Sequence, residues 1–523
     1  MLFNSYEFIL LFLPVTLWVF AQLGRRNWTE AALAWLAIAS LGFYAWWNPP
    51  YLALFAFSIG FNYLVGSTLS HRDWLGFSRK LLLGFGIVVN LALIGYYKYA
   101  NFFLSNVNTL LGSDWTLGSI ILPLGISFFT FQQITYLIDA YNQETKEYNF
   151  VKYCLFVSFF PQLIAGPIVH HREVMPQFQD RSIYQLRDDN LSVGLTIFSL
   201  GLFKKVIFAD SVAVYATPVF DMAAQGGTPA FGEAWCGALA YTLQLYFDFS
   251  GYSDMAMGAA RLFGIRLPLN FHSPYKAVSM IDFWRRWHIT LSRFLRDYLY
   301  IPLGGNRKGE LRRYFNLFVT MLLGGLWHGA GWTFVLWGGL HGSYLVINHG
   351  WRSLLKRLGV DLKRPHPVAQ GCGWALTFGA VVVGWVLFRA ANLEAALLIL
   401  KAMFGGNGIS LPASFEPVLG FLQAWGVQFA GLQGPTKLPS RSAIAWIGGL
   451  LIVAWYFPNT QEWLAKYRPA LDFPSRPGEG RLSGVWRRLR WRPTLGWSLV
   501  MSGLAAYSIL SLAKPTEFLY FQF

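Results

Sequence analysis

His328 stands in GGLWHGAGWTF (324–334), a stretch apolar enough to enter a bilayer. An ionisable side chain at membrane depth costs free energy and marks a place where work is done. Neutral imidazole is the natural general base near pH 7. No serine or cysteine with a partnered base occupies a nucleophile motif, which points to direct transfer of a group rather than a covalent intermediate. Gly324, Gly325, Gly329 and Gly331 remove bulk around the ring, leaving room for a substrate or for close backbone contact. The structural alternative is a histidine that packs two helices through a hydrogen bond.

Upstream, the spacing predicts a helix over 284–300. At 100° per residue Arg285, Arg286, Arg293, Arg296 and Asp297 share one face, and Trp287, Leu291, Phe294, Leu295, Tyr298 and Leu299 share the other. This is the pattern of a helix lying on a membrane surface. His288 falls on the apolar side, where it either braces the helix or lines the entrance to a reaction channel. From Arg261 to Arg313 there are 11 Lys and Arg against three acids, a net +8 that forms an attractive platform for an anionic donor. Arg313 is fifteen residues before His328, so a continuous helix would separate them by about 22 Å.

In LAYTLQLYFDFSGYSDMAMG (239–258), Gln244 and Asp248 lie one turn apart, with Asp254 six residues on. Carboxylates in such a span need partners. They either pin helices, through Lys204 or an arginine of 285–296, or orient a substrate or catalytic histidine. His341, His349, His170 and His171 are weaker candidates for lining a cavity. No two histidines have metal-binding spacing on one helix, and Cys154, Cys236 and Cys372 match no metal pattern, so no metal site is expected.

The elements that must position these residues follow from composition. The chain has 523 residues, 54% hydrophobic and 13% charged, about half the charge of a soluble domain. Apolar runs at roughly 8–23, 31–47, 51–69, 81–97, 117–138, 193–209, 234–260, 315–348, 373–390, 443–457 and 495–513 predict an all-α polytopic membrane protein. The net charge of +16 accompanies no nucleic-acid-binding module, and the basic residues lie in turns between apolar runs. Anionic lipid and an acidic cytoplasmic partner account for it better than nucleic acid.

Arg25, Arg26, Arg72, Arg79, Lys80 and the 261–313 segment mark cytoplasmic loops. Segments 101–119, 211–232 and 404–440 are expected outside. Residues 153–169 are long enough to cross, but a crossing would invert the charge bias downstream. They are predicted to be re-entrant or interfacial, broken at Pro161 and Gly166–Pro167. The count is then twelve crossings with both termini, including the aromatic tail 518–523, on the outer side.

The stretches 122–141, 159–168, 243–264, NFHSPYKAVSMIDFWRRWHITLSRFLRDYLYIPLGGNR (270–307) and LLGGLWHGAGWTFVLWGGLHG (322–342) resemble the membrane-bound O-acyltransferase family. The resemblance is to its bacterial branch of alginate O-acetylases and D-alanyl transferases. It implies one transmembrane domain over 1–523 with a family core at about 120–348, and about 11–12 transmembrane helices plus re-entrant and interfacial helices around a central channel. It also implies that His328 is the catalytic histidine, that His288 lies in the cytoplasmic funnel, and that the basic segment with Arg285, Arg286, Arg293 and Arg296 receives an acyl donor. That donor would be acetyl-CoA or an acyl-carrier-protein thioester. The acceptor would be an exopolysaccharide such as alginate, or another cell-envelope polymer, reached through an extracytoplasmic acetyltransferase or relay protein. The expected location is the bacterial inner membrane, with both termini periplasmic. A transporter would require gates and repeat symmetry that the sequence does not display; an assembly scaffold would leave His328 replaceable.

Overall fold

The computed structural model describes residues 1–70, 78–145, 149–164, 166–361, 366–431, 434–471, 484–513 and 519. The apolar runs mostly become helices, since a chain in lipid must satisfy its backbone internally; the 117–138 run is an exception in its first part, where 117–125 is irregular and the helix begins only at Ile126. Glu7–Arg25, Pro50–Ser70, Arg79–Leu111, Asp188–Ala224 and Pro367–Arg389 are long and apolar enough to cross a membrane, and Thr29–Ala45, Arg441–Tyr456 and Leu495–Leu510 are shorter apolar helices. Among the described residues the strands are Ile409–Ser410 and Val427–Gln428, paired in parallel. The protein is an all-α membrane protein.

Two expected loops are partly helical. The helix containing 81–97 continues through a π-helical stretch at Gly95–Tyr99 to Leu111, where Gly112 turns left-handed at φ 64°. Asp210–Ala224 prolongs the helix that begins at Asp188, with Pro218 inside it. Val212, Ala213, Ala216, Val219, Phe220 and Ala223 are its buried positions, a helical period within a segment expected to be an outer loop.

The chain forms two compact units. The first comprises Met1–Phe203, Ser250–Asn270 and Thr460–Lys514. Its helices are joined by polar pairs: Asn62 and Asn90 exchange side-chain hydrogen bonds of 3.1 and 2.6 Å, and Gln133 Nε2 donates to Ser58 Oγ at 3.0 Å. Such bonds hold helices together where no hydrophobic force between them operates. Asp254 accepts from Thr460 Oγ1 at 2.6 Å and Gln461 Nε2 at 2.9 Å, so it pins helices as one of the two readings allowed.

The 153–169 stretch is broken twice, two residues before the expected Pro161 and, as expected, at Gly166–Pro167. Helices Phe150–Ser158 and Phe160–Leu163 part at Phe159. Pro161 sits in the first turn of the second piece, where its missing N–H is no loss. The freed groups find partners: Phe160 N donates to Ser40 Oγ, and Phe156 O accepts from both Gln132 and Gln162. Tyr153 to Ile164 and Gly166 to His170 are buried, which places this irregular backbone inside protein. A Cβ on Gly166 would fall 2.5 Å from Gln162 Cα, so the bend needs glycine.

The second unit comprises Lys204–Phe249, Phe271–Asn459 and Pro515–Phe523. Its centre is a hairpin of Glu310–His328 and Trp332–Arg357. A Cβ on Gly325 would lie 2.3 Å from Phe334 O and one on Gly338 2.4 Å from Met321 O, while the Phe334 ring occupies the space beside Gly329. These glycines therefore serve close helix contact rather than substrate room.

Candidate functional site

The helix Glu310–His328 is unbroken, so the rise of about 22 Å from Arg313 to His328 is realised. His328 is its last residue, and the chain turns back through extended Gly329 and Gly331. Its imidazole is partly buried among aromatic rings, with centroids at 4.8 Å (Trp327), 5.1 Å (Trp337), 5.2 Å (Phe388) and 6.5 Å (His288). It opens on a cavity of 20 Å³ that Asp248, Phe249, Trp287, Trp337, Trp385 and Phe388 also line, room for about one water molecule.

The expected continuous helix over 284–300 does not form. Met280–Trp284 ends in a turn, His288 takes left-handed backbone at φ 42°, ψ 54°, and a new helix runs Ile289–Leu295 before a π-helical turn at Arg296–Tyr300. Periodicity alone could not reveal this, because a single left-handed residue resets the phase of the helix while leaving apolar residues on both sides of it. Left-handed backbone is tolerated by histidine better than by most side chains. His288 is 0% exposed, with Phe249 edge-on at 4.9 Å and Phe271 at 6.4 Å. Its burial pushes the imidazole down to about 3, so it stays neutral.

The break also separates the four arginines. Arg285 and Arg296 line a cavity of 570 Å³ together with Trp284, Tyr300, Arg313 and His349. Arg286 instead bonds Asp282 at 2.9 Å and reaches the His272 carbonyl at 3.4 Å, and Arg293 is absent from the lining. Arg313 meets the ring of His349. Arg313 and His349 thus join the basic cavity from the hairpin, a contribution that pairing of the two hairpin helices brings about and local spacing does not show.

The basic cavity and the His328 cavity approach each other at two tryptophans. Trp284 lines the first and Trp337 the second, with ring centroids 5.9 Å apart. His341 is 0% exposed beside both, at 5.4 and 4.7 Å, and neither of its ring nitrogens has a hydrogen-bond partner among the described residues. His170 and His171 belong to the first unit, where His170 Nδ1 lies 3.8 Å from Asp139 Oδ2 and His171 Nδ1 3.2 Å from Thr145 Oγ1.

Asp248 pairs with Lys205 Nζ at 2.6 Å, and Lys205 also meets Asp210 at 2.7 Å. The sequence suggested Lys204 or an arginine of 285–296 as that partner. The next lysine takes the place, in the π-helical stretch Lys204–Ala209 that ends the 193–209 run. Among the described residues no group of three or more His, Cys, Asp or Glu could hold a metal ion.

A family model described as the membrane-bound O-acyltransferase family matches residues 140–389, a span containing every residue of the His328 cavity except Leu519. The chain is 47% identical to a peptidoglycan O-acetyltransferase of Helicobacter pylori, over 79% of this chain and 81% of that protein. It is 40% identical to a probable alginate O-acetylase of Pseudomonas putida over 100% of both. A teichoic acid D-alanyltransferase of Streptococcus thermophilus is 29% identical over 52% of this chain and 69% of its own length.

Proposed function

Because the chain belongs to the membrane-bound O-acyltransferase family, we propose that this enzyme moves an acetyl group from a cytoplasmic thioester to a hydroxyl on the other side of the membrane, with His328 as the base. The observation that carries the reading is the course of one helix. Glu310–His328 starts at a basic cavity with Arg313 and ends at a histidine in an aromatic pocket.

The anionic part of the donor, the phosphates of acetyl-CoA or an acidic acyl-carrier protein, is held at Arg285, Arg296 and Arg313. Its thioester arm passes the Trp284–Trp337 contact to reach His328. His328 takes the proton from the acceptor hydroxyl as the oxygen attacks the thioester carbonyl carbon. A C–O bond forms, the C–S bond breaks, and the leaving thiolate recovers the proton from the imidazolium. The products are an ester and a free thiol, and His328 is neutral again. His288 packs behind the wall residue Phe249 and contributes shape rather than charge.

Acetyl is favoured over D-alanyl because the O-acetyl relatives match more of the chain at higher identity. The acceptor is a cell-envelope polysaccharide, of the kind those relatives' names describe, reached directly or through an extracytoplasmic relay protein. The charge bias of the loops supports reading the enzyme as a bacterial inner-membrane protein with both termini periplasmic. The test supplies purified protein and its acceptor with radiolabelled acetyl-CoA, acetyl-carrier protein or alanyl-carrier protein. Label is expected from an acetyl donor; label from the alanyl donor alone would replace acetyl with D-alanyl.

A further inference from the structure

Lys205 and Asp248 are each 2% exposed, and their 2.6 Å ion pair sits behind the wall of the His328 cavity. Burying this pair carries a desolvation penalty, and packed apolar residues of similar volume often serve stability as well. Its position gives it another use. Asp248 lines the same 20 Å³ cavity as His328, so the carboxylate and the imidazole face one small space with room for about one water. Lys205 holds Asp248 from behind and meets Asp210 as well, so the three groups together carry one negative charge.

We propose that Asp248, held in orientation by Lys205, is a positioning residue that stabilises His328 when it carries the proton of the acceptor hydroxyl. The inference rests on His328 being the base. As the acceptor O–H breaks, positive charge develops on the imidazole, and a fixed carboxylate in a water-poor pocket acts on it strongly without having to reorganise. No proton passes to Asp248; it returns from His328 to the leaving thiolate.

The other titratable or charged groups around His328 do not supply this field. His288, across 6.5 Å, is neutral. His341 lies beyond Trp337. Arg389, the residue after Phe388, places its guanidinium 5.6 Å from the Phe220 ring, and a cation cannot stabilise an imidazolium. Leu519 and Trp287, the remaining wall residues at this end, carry no charge.

The test compares three isosteric or conservative variants. Lys205 has two carboxylates, so either Asp248→Asn or Asp210→Asn leaves it one partner and no unpaired buried charge. Initial transfer rates are measured from pH 5 to 9 on purified, folded protein. Asp248→Asn is expected to lower the plateau rate about tenfold or more. It should also move the acidic limb of the profile to lower pH by about one unit, since loss of the carboxylate leaves His328 neutral at more acidic pH. Asp210, outside the cavity wall, should move the limb in the same direction by less and cost under about threefold. Asp248→Glu, which keeps the charge, should recover most of the plateau. Limbs unmoved in both asparagine variants would overturn the proposal, as would a Glu variant as slow as Asn. If Asp248→Asn does not accumulate in the membrane, the limb of Asp210→Asn decides alone. His328→Gln in the same assay separates the two claims: an active His328→Gln refutes the base itself, whereas an inactive one with unmoved Asp limbs refutes only the role of Asp248.

Discussion

The rings of His288 and His328 lie 6.5 Å apart, centroid to centroid, with their planes at 60°. One has no exposed surface and left-handed backbone; the other is partly buried and opens on a cavity. Two neighbouring histidines thus have different environments, and of the two only His328 lines the cavity.

The conformation of His288 has a consequence for stability. Asparagine tolerates left-handed backbone, whereas a β-branched residue does not. His288→Val should therefore destabilise the protein by about 2 kcal/mol or more through strain and lost ring packing, and His288→Asn by clearly less. Thermal unfolding in detergent reads the difference. Equal losses would show that the backbone at 288 is not left-handed.

Neighbouring glycines in the hairpin should differ sharply. A Cβ on Gly338 would press on Met321 O at 2.4 Å, while one on Gly339 would meet nothing closer than 3.5 Å. Gly338→Ala is expected to cost about 1–3 kcal/mol and to lower activity, because the shift displaces Trp337 and with it His328. Gly339→Ala should be nearly silent. Comparable melting temperatures for the two variants would contradict the close approach of these helices.

The arginines divide into two classes. Reversing Arg285 and Arg296 to glutamate should raise the KM for donor about tenfold at low salt, with kcat little changed, and the effect should shrink as ionic strength rises. Arg293→Glu should leave donor KM unaltered. Arg286→Glu should reduce folded yield instead, because Arg286 holds Asp282 and the His272 carbonyl. Steady-state kinetics at two salt concentrations separate these outcomes.

Much of this was legible in the sequence where physics is local. Length and hydropathy located the helices, and the cost of a histidine in GGLWHGAGWTF singled out His328. Breaks were expected at Pro161 and Gly166–Pro167; the helix parts at Phe159 instead of Pro161, and its second piece ends at Leu163, before the expected bend at Gly166. What stayed hidden depends on distant neighbours. The left-handed turn at His288 is stabilised by Phe249 and Phe271 from other segments. The partner of Asp248 is Lys205 rather than Lys204, a choice made by the π-helical winding of Lys204–Ala209 at the end of the 193–209 run. The 32-residue helix Phe231–Leu262 is not among the long apolar helices, since it carries polar residues, Gln244, Asp248 and Asp254 among them, which it buries inside the protein.

The central claim is that His328 performs the proton transfer, and one measurement addresses it most directly. Purified wild type and His328→Gln, matched for melting temperature in detergent, are given the same radiolabelled acetyl donor and acceptor, and initial rates of label transfer are compared. Because general-base assistance is commonly worth about 10²–10⁴-fold, the account predicts that His328→Gln loses at least about 100-fold in rate while still binding donor. A folded His328→Gln variant within a few-fold of wild type would contradict it and reduce His328 to a packing residue.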